Sequence, residues 1–429
     1  MKNRKTYYIE TFGCQMNIAD SEVVAAILAK EGFTPVSTVS EAGLVLMNTC
    51  AVRENAEKRI WNKLENLKGI KRKQGDIKIG ILGCMAQHVG NKFKDSGAVD
   101  LVAGPDSYRH LPELLEKISK HEFVSDLELS RTETYENILP QRVESSQING
   151  FVSITRGCNN FCSYCIVPYT RGRERSRNPE DILNEVRDLY NTGHYEITLL
   201  GQNVNSYRWN DEQQAMDFPD LLRKVAETFA SMRIRFTTSH PKDISDKLIE
   251  TMATVPNICN HIHLPVQSGS NAVLKAMNRK YTREWYLDRA AKIRELIPDC
   301  GLSTDIFSGF PGETEADHQQ SLELMKMVGY DSAFMFKYSE RPGTMAAAKL
   351  KDDVPEDVKT RRLNELIALQ NELSTASNNR DIGKEFEILI EGRSKRSDKE
   401  MFGRTCQNKM VIVPDRGFNP GDKLKVEIS

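Results

Sequence analysis

The sequence contains no segment that is apolar enough for a secretory leader or a membrane span. The segment Met1–Tyr7 is charged and polar with no apolar stretch behind it, which is not the pattern of a signal peptide. No run approaches the ~18 consecutive apolar residues that a transmembrane helix needs. These absences predict a soluble, cytoplasmic protein without a membrane association.

The chain also lacks an excess of charge of either sign. Its 429 residues include 59 Lys and Arg and 60 Asp and Glu. A basic surface over the whole chain is therefore excluded, and contacts with nucleic acid would have to come from local patches. The length suits two or three domains with substantial cores.

Nine cysteines are present, and disulfides are rare in a reducing cytoplasm. We therefore expect ligands, catalytic groups or buried thiols. Cys158, Cys162 and Cys165 follow a strand-like run, Phe151–Thr155. Three thiolates so close together can hold one soft metal centre, but a 4Fe–4S cluster normally takes four. The spacing predicts a cluster with a distant fourth ligand or with one open iron.

A zinc knuckle is the alternative for this loop. Structural zinc is usually held by paired short Cys and His spacings that complete a tetrahedron. No second pair follows, and the nearest later candidates are the single residues His194 and His240. The pattern favours an iron–sulfur cluster over zinc.

A second set of three cysteines lies in the first 130 residues. Cys14, Cys50 and Cys84 each follow a short strand-like run, and a helical pattern follows each. This alternation predicts a parallel sheet, in which ligands collect at the carboxyl ends of the strands. We expect the three thiols to converge and bind a second cluster; three separately buried structural cysteines are the alternative. The predicted strands are Thr6–Gly13, Leu44–Thr49 and Ile77–Gly83, and the predicted helices are Ser21–Lys30, Arg53–Lys73 and a segment from Met85.

The motif Cys-x-x-x-Cys-x-Tyr-Cys, in which Tyr164 is the aromatic residue, resembles the signature of radical S-adenosylmethionine (SAM) enzymes. The segments Thr11–Asn17, Asn48–Cys50 and Gly83–Ala86 resemble the N-terminal domain of the methylthiotransferases in that group. The resemblance extends over essentially the whole chain. Within the family, Gly-Cys-Gln-Met-Asn is similar to the branch that modifies tRNA adenosine.

This resemblance implies two 4Fe–4S clusters and SAM as cofactors. The cluster on the 158–165 motif would donate an electron to SAM and release a 5′-deoxyadenosyl radical. The cluster on the first three cysteines would hold the sulfur that a second SAM methylates. The implied substrate is the isopentenylated adenosine beside the anticodon of tRNA, methylthiolated at ring carbon 2. Other implied partners are a reductase such as flavodoxin or ferredoxin, and a monomer is expected.

The predicted fold class is α/β, with three domains. An open parallel α/β domain is followed by a partial (β/α)6 barrel, because only six strand–helix units follow Phe151, and by a small antiparallel β-barrel in the place of the TRAM domain. The predicted domain boundaries are 1–130, a polar linker at 131–149, the partial barrel at 150–350, a helical connector at 351–380 and the β-barrel at 381–429.

Residues at the predicted strand ends are candidates for SAM binding, together with Tyr164. Gly, Asn and Ser are also common as simple turn residues at such places. The candidates after the strands are Gly201, Gln202, Asn203, Ser239, His240 and Gln267, and a further candidate, Asp305, lies late in a predicted strand. Two further cysteines, Cys259 and Cys300, lack partners by spacing and are predicted to be structural.

Two basic segments are candidates for RNA binding. Arg suits bidentate contacts with phosphate, although a solvated charged loop is the alternative in each case. The first segment supplies Arg171, Arg173, Arg175 and Arg177, and the C-terminal segment supplies Arg393, Lys395, Arg396, Lys399 and Arg404.

Three other functions remain open at this point. The enzyme could methylthiolate threonylcarbamoyladenosine in tRNA, or it could methylthiolate a ribosomal protein. A non-catalytic carrier that passes iron–sulfur clusters on is the alternative from another class.

Overall fold

The computed structural model describes residues 5–51, 54–75, 77–120, 123–143, 148–211 and 215–429. The chain forms two compact units. The first comprises Met1–Ser145, Phe151–Asn159 and Ile166–Glu185, and the second comprises Ser146–Gly150, Asn160–Cys165 and Val186–Ser429.

The first unit is built on a six-stranded sheet in the order β2-β1-β3-β4-β5-β6, here called the N-terminal sheet. Each strand is parallel to its neighbours. The strands are β1 Thr6–Thr11, β2 Thr34–Pro35, β3 Leu44–Thr49, β4 Lys78–Gly83, β5 Leu101–Ala103 and β6 Val124–Asp126. The helices are α1 Gln15–Lys30, α2 Glu54–Gln74, α3 Cys84–Asp95 and α4 Leu111–Ser119, with 3-10 turns at Val39–Glu41 and Tyr108–His110.

Both faces of the N-terminal sheet are buried. In β3, Leu44 and Leu46 pack into a core with α1 and α4. The alternate residues, Val45 and Met47, pack on the opposite face with α2 and α3. A strand that is apolar on both faces is typical of a parallel sheet covered by helices on each side. The predicted open parallel α/β domain is thus confirmed, with β2, β5 and β6 in addition to the predicted strands.

The segment predicted as a polar linker packs on the first unit over its described part. Tyr135 and Ile138 are buried in the core that contains α1 and α4. The Tyr135 hydroxyl donates to the carbonyl of Pro105 over 2.7 Å. Two apolar side chains thus anchor this polar segment to the first unit over its described part. Residues 144–147 of this segment, and Arg53 of the predicted second helix, lie outside the described residues.

Five elements complete the first unit or connect it to the second. The helix that begins at Pro179 is capped by Asn178, whose Oδ1 accepts from the N–H of Glu180 over 2.9 Å. Proline suits the first position of a helix, where its missing N–H costs no hydrogen bond. The elements are β7 Asn149–Ser153, β8 Thr155–Arg156, α5 Val167–Thr170, β9 Arg175–Ser176 and α6 Pro179–Asn191.

The second unit contains the remaining elements. Its strands are β10 Glu196–Leu200, β11 Arg208–Asn210, β12 Ala215–Asp217, β13 Arg233–Thr237, β14 His261–His263, β15 Gly301–Ser308, β16 Ser332–Lys337, β17 Glu385–Arg393, β18 Glu400–Thr405, β19 Met410–Pro414 and β20 Lys423–Glu427. Its helices are α7 Phe218–Thr228, α8 Asp246–Thr254, α9 Asn271–Ala276, α10 Arg283–Leu296, α11 Glu315–Val328, α12 Met345–Lys349 and α13 Glu356–Asn379, with 3-10 turns at Val204–Ser206 and Pro241–Asp243.

Six strands form the predicted partial barrel as two three-stranded sheets, β13-β10-β7 and β14-β15-β16. A parallel bridge between Ile234 and Ile258 links β13 to the segment before β14. Helices alternate with these strands, and Thr314 and Asp317 form a capping box at the start of α11. We refer to these six strands and their helices as the partial barrel.

The last four strands form an antiparallel sheet in the order β19-β18-β17-β20, here called the C-terminal sheet. It packs on the partial barrel within the second unit. Arg233 Nη1 donates to the carbonyl of Arg404 over 2.7 Å, and Arg235 Nη2 donates to that of Thr405 over 2.8 Å. The predicted antiparallel C-terminal domain is confirmed. In the described part of the chain, no helix has the length and apolar character needed to cross a membrane.

We expect truncation of Leu46 to destabilise the N-terminal sheet. Leu46 is fully buried, so Leu46→Ala should cost about 2–5 kcal/mol through weaker packing and a cavity. Leu139→Ala is the matched control, because Leu139 is 51% exposed, and should cost less than about 0.5 kcal/mol. Hydrogen exchange of the β3 amides reports the local opening free energy. Equal exchange in the two variants would contradict this account of the core.

Candidate cofactor sites

The structure brings Cys14, Cys50 and Cys84 together at the carboxyl ends of three adjacent strands, β1, β3 and β4. A Cβ on Gly13 would lie 2.5 Å from the Cβ of Cys50 and 3.4 Å from its Sγ. At this place, with φ of 127°, glycine lets the turn that carries Cys14 pass close to Cys50.

Two polar side chains connect the thiols of Cys14 and Cys84. The Cys14 thiol donates to Asn17 Oδ1 over 3.3 Å, and Arg171 Nη2 donates to the same oxygen over 3.5 Å. Arg171 Nε donates to the Cys84 sulfur over 3.1 Å. Arg171 also donates to Asp20 Oδ2 over 2.8 Å. No local pattern in the sequence indicates these three polar partners.

The surroundings of this first trio fit an iron–sulfur cluster. Cys14 is the N-cap of α1 and Cys84 is the first residue of α3, and the positive end of a helix favours a thiolate. Burial raises the pKa of the Cys84 thiol, whereas the guanidinium of Arg171 acts in the opposite direction. Donors and positive charge around sulfur are what cluster thiolates require.

The basic segment after Cys165 is mostly buried. Arg175 donates to Asp106 Oδ2 over 2.7 Å, and Arg177 pairs with Asp181 and with Glu185. Together with Arg171, these guanidinium groups are held by carboxylates inside the first unit. This packing argues against the predicted phosphate clamp at Arg171, Arg175 and Arg177.

Arg173 is the exposed member of this segment. Of the four arginines in this segment, Arg173 is therefore the one whose exposure is compatible with the RNA-binding prediction.

The second cysteine motif is divided between the two units. Cys158 belongs to the first unit, where its N–H donates to the carbonyl of Gly172 over 3.1 Å. Cys162 and Cys165 belong to the second. There, Arg279 Nη1 donates to the Cys162 sulfur over 3.4 Å, and its Nη2 donates to the carbonyl of Pro265 over 2.7 Å. Arg279 is not predicted from the sequence, and it places a cation beside a motif thiol.

Four predicted SAM-binding residues carry buried polar atoms without a hydrogen-bond partner in the described ranges. These atoms are Gln202 Oε1, Asn203 Oδ1, Ser239 Oγ and Gln267 Oε1. They lie beyond the carboxyl ends of β10, β13 and β14. A buried unpaired polar atom costs about 1–3 kcal/mol, so four of them at neighbouring strand ends indicate a polar ligand. The three amide oxygens can accept from N–H or O–H groups of such a ligand, and the Ser239 hydroxyl can also donate.

The other predicted SAM residues have partners within the second unit or line its core. Tyr164 makes edge contacts with Phe307 at 5.1 Å and Phe310 at 6.4 Å between ring centroids. His240 Nδ1 accepts from the N–H of Lys242 over 3.2 Å. Burial, with Arg279 and Lys242 nearby, lowers the pKa of His240, so its ring is neutral.

The remaining two candidates are Gly201, directly after β10, and Asp305, within β15. The carbonyl of Asp305 accepts from the N–H of Gln267 over 2.9 Å, and the N–H of Gly201 donates to the carbonyl of Thr237 over 3.2 Å. Gln267 has a positive φ of 72°, which is uncommon for a residue with a side chain and typical of functional sites.

The basic residues of the C-terminal sheet differ in exposure. Arg393, Lys395 and Arg396 are exposed. Arg404 Nη2 donates to Glu391 Oε2 over 3.0 Å, which leaves its guanidinium less available to a phosphate. Lys399 is also exposed. The predicted RNA-binding surface thus rests on the β17–β18 hairpin.

Within the described ranges, no three Cys, His, Asp or Glu side chains gather closely enough to hold a single metal ion. A 4Fe–4S cluster does not require such a grouping, because each thiolate binds a different iron.

Comparisons with known proteins match three successive parts of the chain to different family models. Three family models match: "Uncharacterized protein family UPF0004" over residues 6–104, "Radical SAM superfamily" over residues 152–325 and "TRAM domain" over residues 379–429. The solved structure of the radical S-adenosylmethionine methyltransferase TsrM from Kitasatospora setae, with cobalamin and a 4Fe–4S cluster bound, is similar with a TM-score of 0.62. At 14% identity over 80% of this chain and 77% of that chain, it shows a shared fold.

Curated relatives are similar over the full length. One from Phocaeicola vulgatus is 58% identical over 99% of this chain and 93% of its own length. One from Bacteroides fragilis is 58% identical over 100% of this chain and 94% of its own length. Both are named tRNA-2-methylthio-N(6)-dimethylallyladenosine synthase. With this identity over nearly every residue, the chain belongs to the family of tRNA-2-methylthio-N(6)-dimethylallyladenosine synthases, within the radical SAM enzymes.

Proposed function

We propose that the protein is a radical SAM methylthiotransferase that converts N(6)-isopentenyladenosine beside the anticodon of tRNA to its 2-methylthio derivative. The observation that carries this proposal is the convergence of Cys14, Cys50 and Cys84 at the carboxyl ends of β1, β3 and β4. A chain that had only the radical SAM motif would have no second place to hold sulfur. The names of the full-length relatives support the same substrate.

The two cysteine trios would each hold a 4Fe–4S cluster. When bound, the cluster of Cys158, Cys162 and Cys165 would supply, with SAM, the radical that takes a hydrogen from carbon 2. The cluster of Cys14, Cys50 and Cys84 would hold the sulfur. Such chemistry belongs to the cofactors, while the protein binds, orients and shields the reactants. The hydrogen on that carbon is not acidic, so a side-chain base could not remove it.

The chain's own residues have two tasks around SAM. Gln202, Asn203, Ser239 and Gln267 would pair their unsatisfied polar atoms with SAM and so fix its position. Tyr164 and the aromatic rings it contacts would exclude water from the strand ends. An ordered, water-poor site protects a reactive intermediate from side reactions.

The C-terminal sheet would bind the tRNA backbone through its exposed basic residues. The match to the TRAM domain covers this sheet. Single-stranded loops expose bases that can be splayed out from their neighbours, which suits an enzyme that must reach a ring carbon. The protein would thus hold tRNA through local charge, since its net charge is only −1.

The rival substrates are tRNA that carries threonylcarbamoyladenosine and a ribosomal protein. Anaerobic incubation of the reconstituted protein with each of the three substrates, followed by nucleoside digestion or peptide mass analysis, separates them. We expect methylthio product from isopentenylated tRNA only. Product from either other substrate alone would overturn the proposed specificity. A cluster carrier would yield no 5′-deoxyadenosine under strong reductant.

Substitutions in the two trios should have different effects. Cys162→Ala should abolish cleavage of SAM while the N-terminal trio keeps its cluster, so iron content falls by about half. Cys50→Ala should abolish methylthio product while some SAM cleavage persists. The measurements are iron per chain, 5′-deoxyadenosine and product.

Cys300→Ala is the matched control for both substitutions, because Cys300 is buried and belongs to neither trio. It should change none of the three quantities. Identical behaviour of the Cys162 and Cys50 variants would show that the proposed division of labour is wrong.

Arg171 should raise the reduction potential of the cluster on the first trio. Its positive charge and its hydrogen bond to the Cys84 sulfur favour the more negative, reduced form. Arg171→Met should lower that potential by on the order of tens of millivolts, and Arg171→Lys should lie between. Potentiometric titration followed by electron paramagnetic resonance measures the shift.

Arg173→Met is the control for this measurement, because Arg173 is exposed. The potential of the cluster on the second motif serves as an internal reference in each sample. A shift of the same size in the Arg173 variant, or no shift in the Arg171 variant with iron content intact, would contradict the expectation.

Removal of basic residues from the β17–β18 hairpin should weaken tRNA binding. In the double variant Lys395→Ala/Arg396→Ala, log affinity should fall less steeply with log salt. The magnitude of the slope should decrease by about 1 for each phosphate that the protein no longer neutralises. Lys349→Ala/Lys351→Ala removes two other exposed lysines and should leave the slope unchanged. Fluorescence anisotropy over a range of salt concentrations tests both. Equal slopes in the two variants would place the tRNA elsewhere.

A further inference from the structure

Two cysteines that neither cluster motif uses lie side by side in the second unit. Cys259 precedes β14 and is 2% exposed. Cys406 follows β18 and is partly exposed. Their side chains are hydrogen-bonded to each other. The pair therefore lies where the C-terminal sheet meets the partial barrel.

Strand β13 holds the backbones of both cysteines. The N–H of Cys259 donates to the carbonyl of Ile234 over 2.9 Å. Arg235, the next residue of the strand, donates through Nη1 to the carbonyl of Cys406 over 3.1 Å. Both cysteines therefore make backbone contacts with consecutive residues of one buried strand.

The turn that carries Cys406 is fixed from a second side. A Cβ on Gly301 would lie 2.4 Å from the carbonyl oxygen of Gln407, so the turn packs directly on the backbone at the start of β15. Gln407 Nε2 donates to Asp299 Oδ2 over 2.7 Å. The contact between the two cysteines is thus part of a packed interface within the second unit.

The two thiols differ in chemical character. The hydrogen bond from Cys259 lowers the pKa of the Cys406 thiol to about 6, and Arg233 and Arg235 add to this effect against burial. The same hydrogen bond and burial raise the pKa of Cys259 well above its usual value. A partly exposed thiolate beside a buried thiol is the arrangement of an attacking and a resolving cysteine.

We propose that Cys259 and Cys406 form a redox-active dithiol that a small-molecule disulfide oxidises to an intramolecular disulfide, joining the partial barrel covalently to the C-terminal sheet. The Cys406 thiolate attacks one sulfur of the oxidant, and the other sulfur leaves as a thiolate. Cys259 then loses its proton and attacks Cys406, and the second half of the oxidant leaves. Two electrons and two protons pass from the cysteines to the oxidant, which becomes two thiols.

This proposal differs from the sequence-based prediction that Cys259, which lacks a partner by spacing, is structural. Its partner lies in a different domain of the sequence, so spacing could not indicate it. Cys300 remains a buried thiol and provides the comparison for a purely structural cysteine in the same unit.

The test is anaerobic incubation of the full-length, cluster-loaded protein with glutathione disulfide, followed by alkylation and peptide mapping without reduction. We expect a cross-linked peptide pair that contains Cys259 and Cys406 and is absent after treatment with dithiothreitol. Iron content before and after shows whether the cluster cysteines stay ligated. Absence of this cross-link while the protein keeps its iron would overturn the proposal.

Three variants separate the roles of the cysteines. Cys259→Ser should accumulate a mixed disulfide with glutathione on Cys406, because the resolving thiol is missing. Cys406→Ser should leave Cys259 unmodified, and Cys300→Ser should form the cross-link as the unchanged protein does. Glutathione on Cys259 in the Cys406 variant would reverse the assigned roles and contradict the mechanism.

A measurement on the unsubstituted protein guards against variants that fail to fold. With limiting iodoacetamide at neutral pH, Cys406 should be alkylated at least several times faster than Cys259 or Cys300. Equal alkylation of the three would show that Cys406 is not the reactive thiol.

Discussion

Hydrogen bonding between three parallel strands determines where the first three thiols lie. Thr11 of β1 lies opposite Asn48 of β3, and Thr49 of β3 lies opposite Gly83 of β4. A slip of one residue would turn every core side chain of a strand to the wrong face. Since both faces of the sheet are packed, the register is held by burial. The thiols meet because of the strands that precede them, before any cluster is bound.

Buried ion pairs give the first unit its second constraint. Asp20 accepts from Arg156 over 2.7 Å and from Arg171 over 2.8 Å. Arg175 is paired with Asp106. A buried charge is tolerated only with partners, so these carboxylates allow Arg156, Arg171 and Arg175 to lie in the interior of the first unit. The guanidinium group of Arg171, held by Asp20, also donates to the sulfur of Cys84.

The sequence predicts the structure well wherever the signal is local. Leu44–Thr49 is predicted to the residue, since its six side chains are all buried. By contrast, β2 is two exposed residues that are a strand only because β1 pairs with them. The buried arginines resemble a solvated or phosphate-binding segment in the sequence, because Asp20 is 151 residues from Arg171. Likewise, Arg279 is 117 residues from Cys162, which no spacing rule connects.

Buried polar side chains have different surroundings at the two ends of the partial-barrel strands. At the amino end of β13, the guanidinium groups of Arg233 and Arg235 are used to hold the C-terminal sheet. At the carboxyl ends of neighbouring strands, the side chains of Asn203, Ser239 and Gln267 keep buried polar atoms that no described group satisfies. Each such atom lowers stability by about 1–3 kcal/mol. A ligand that satisfies them would return that free energy and bind the folded state selectively. The amino end of β13 therefore holds the C-terminal sheet, whereas the carboxyl ends of neighbouring strands offer hydrogen-bonding groups to a ligand.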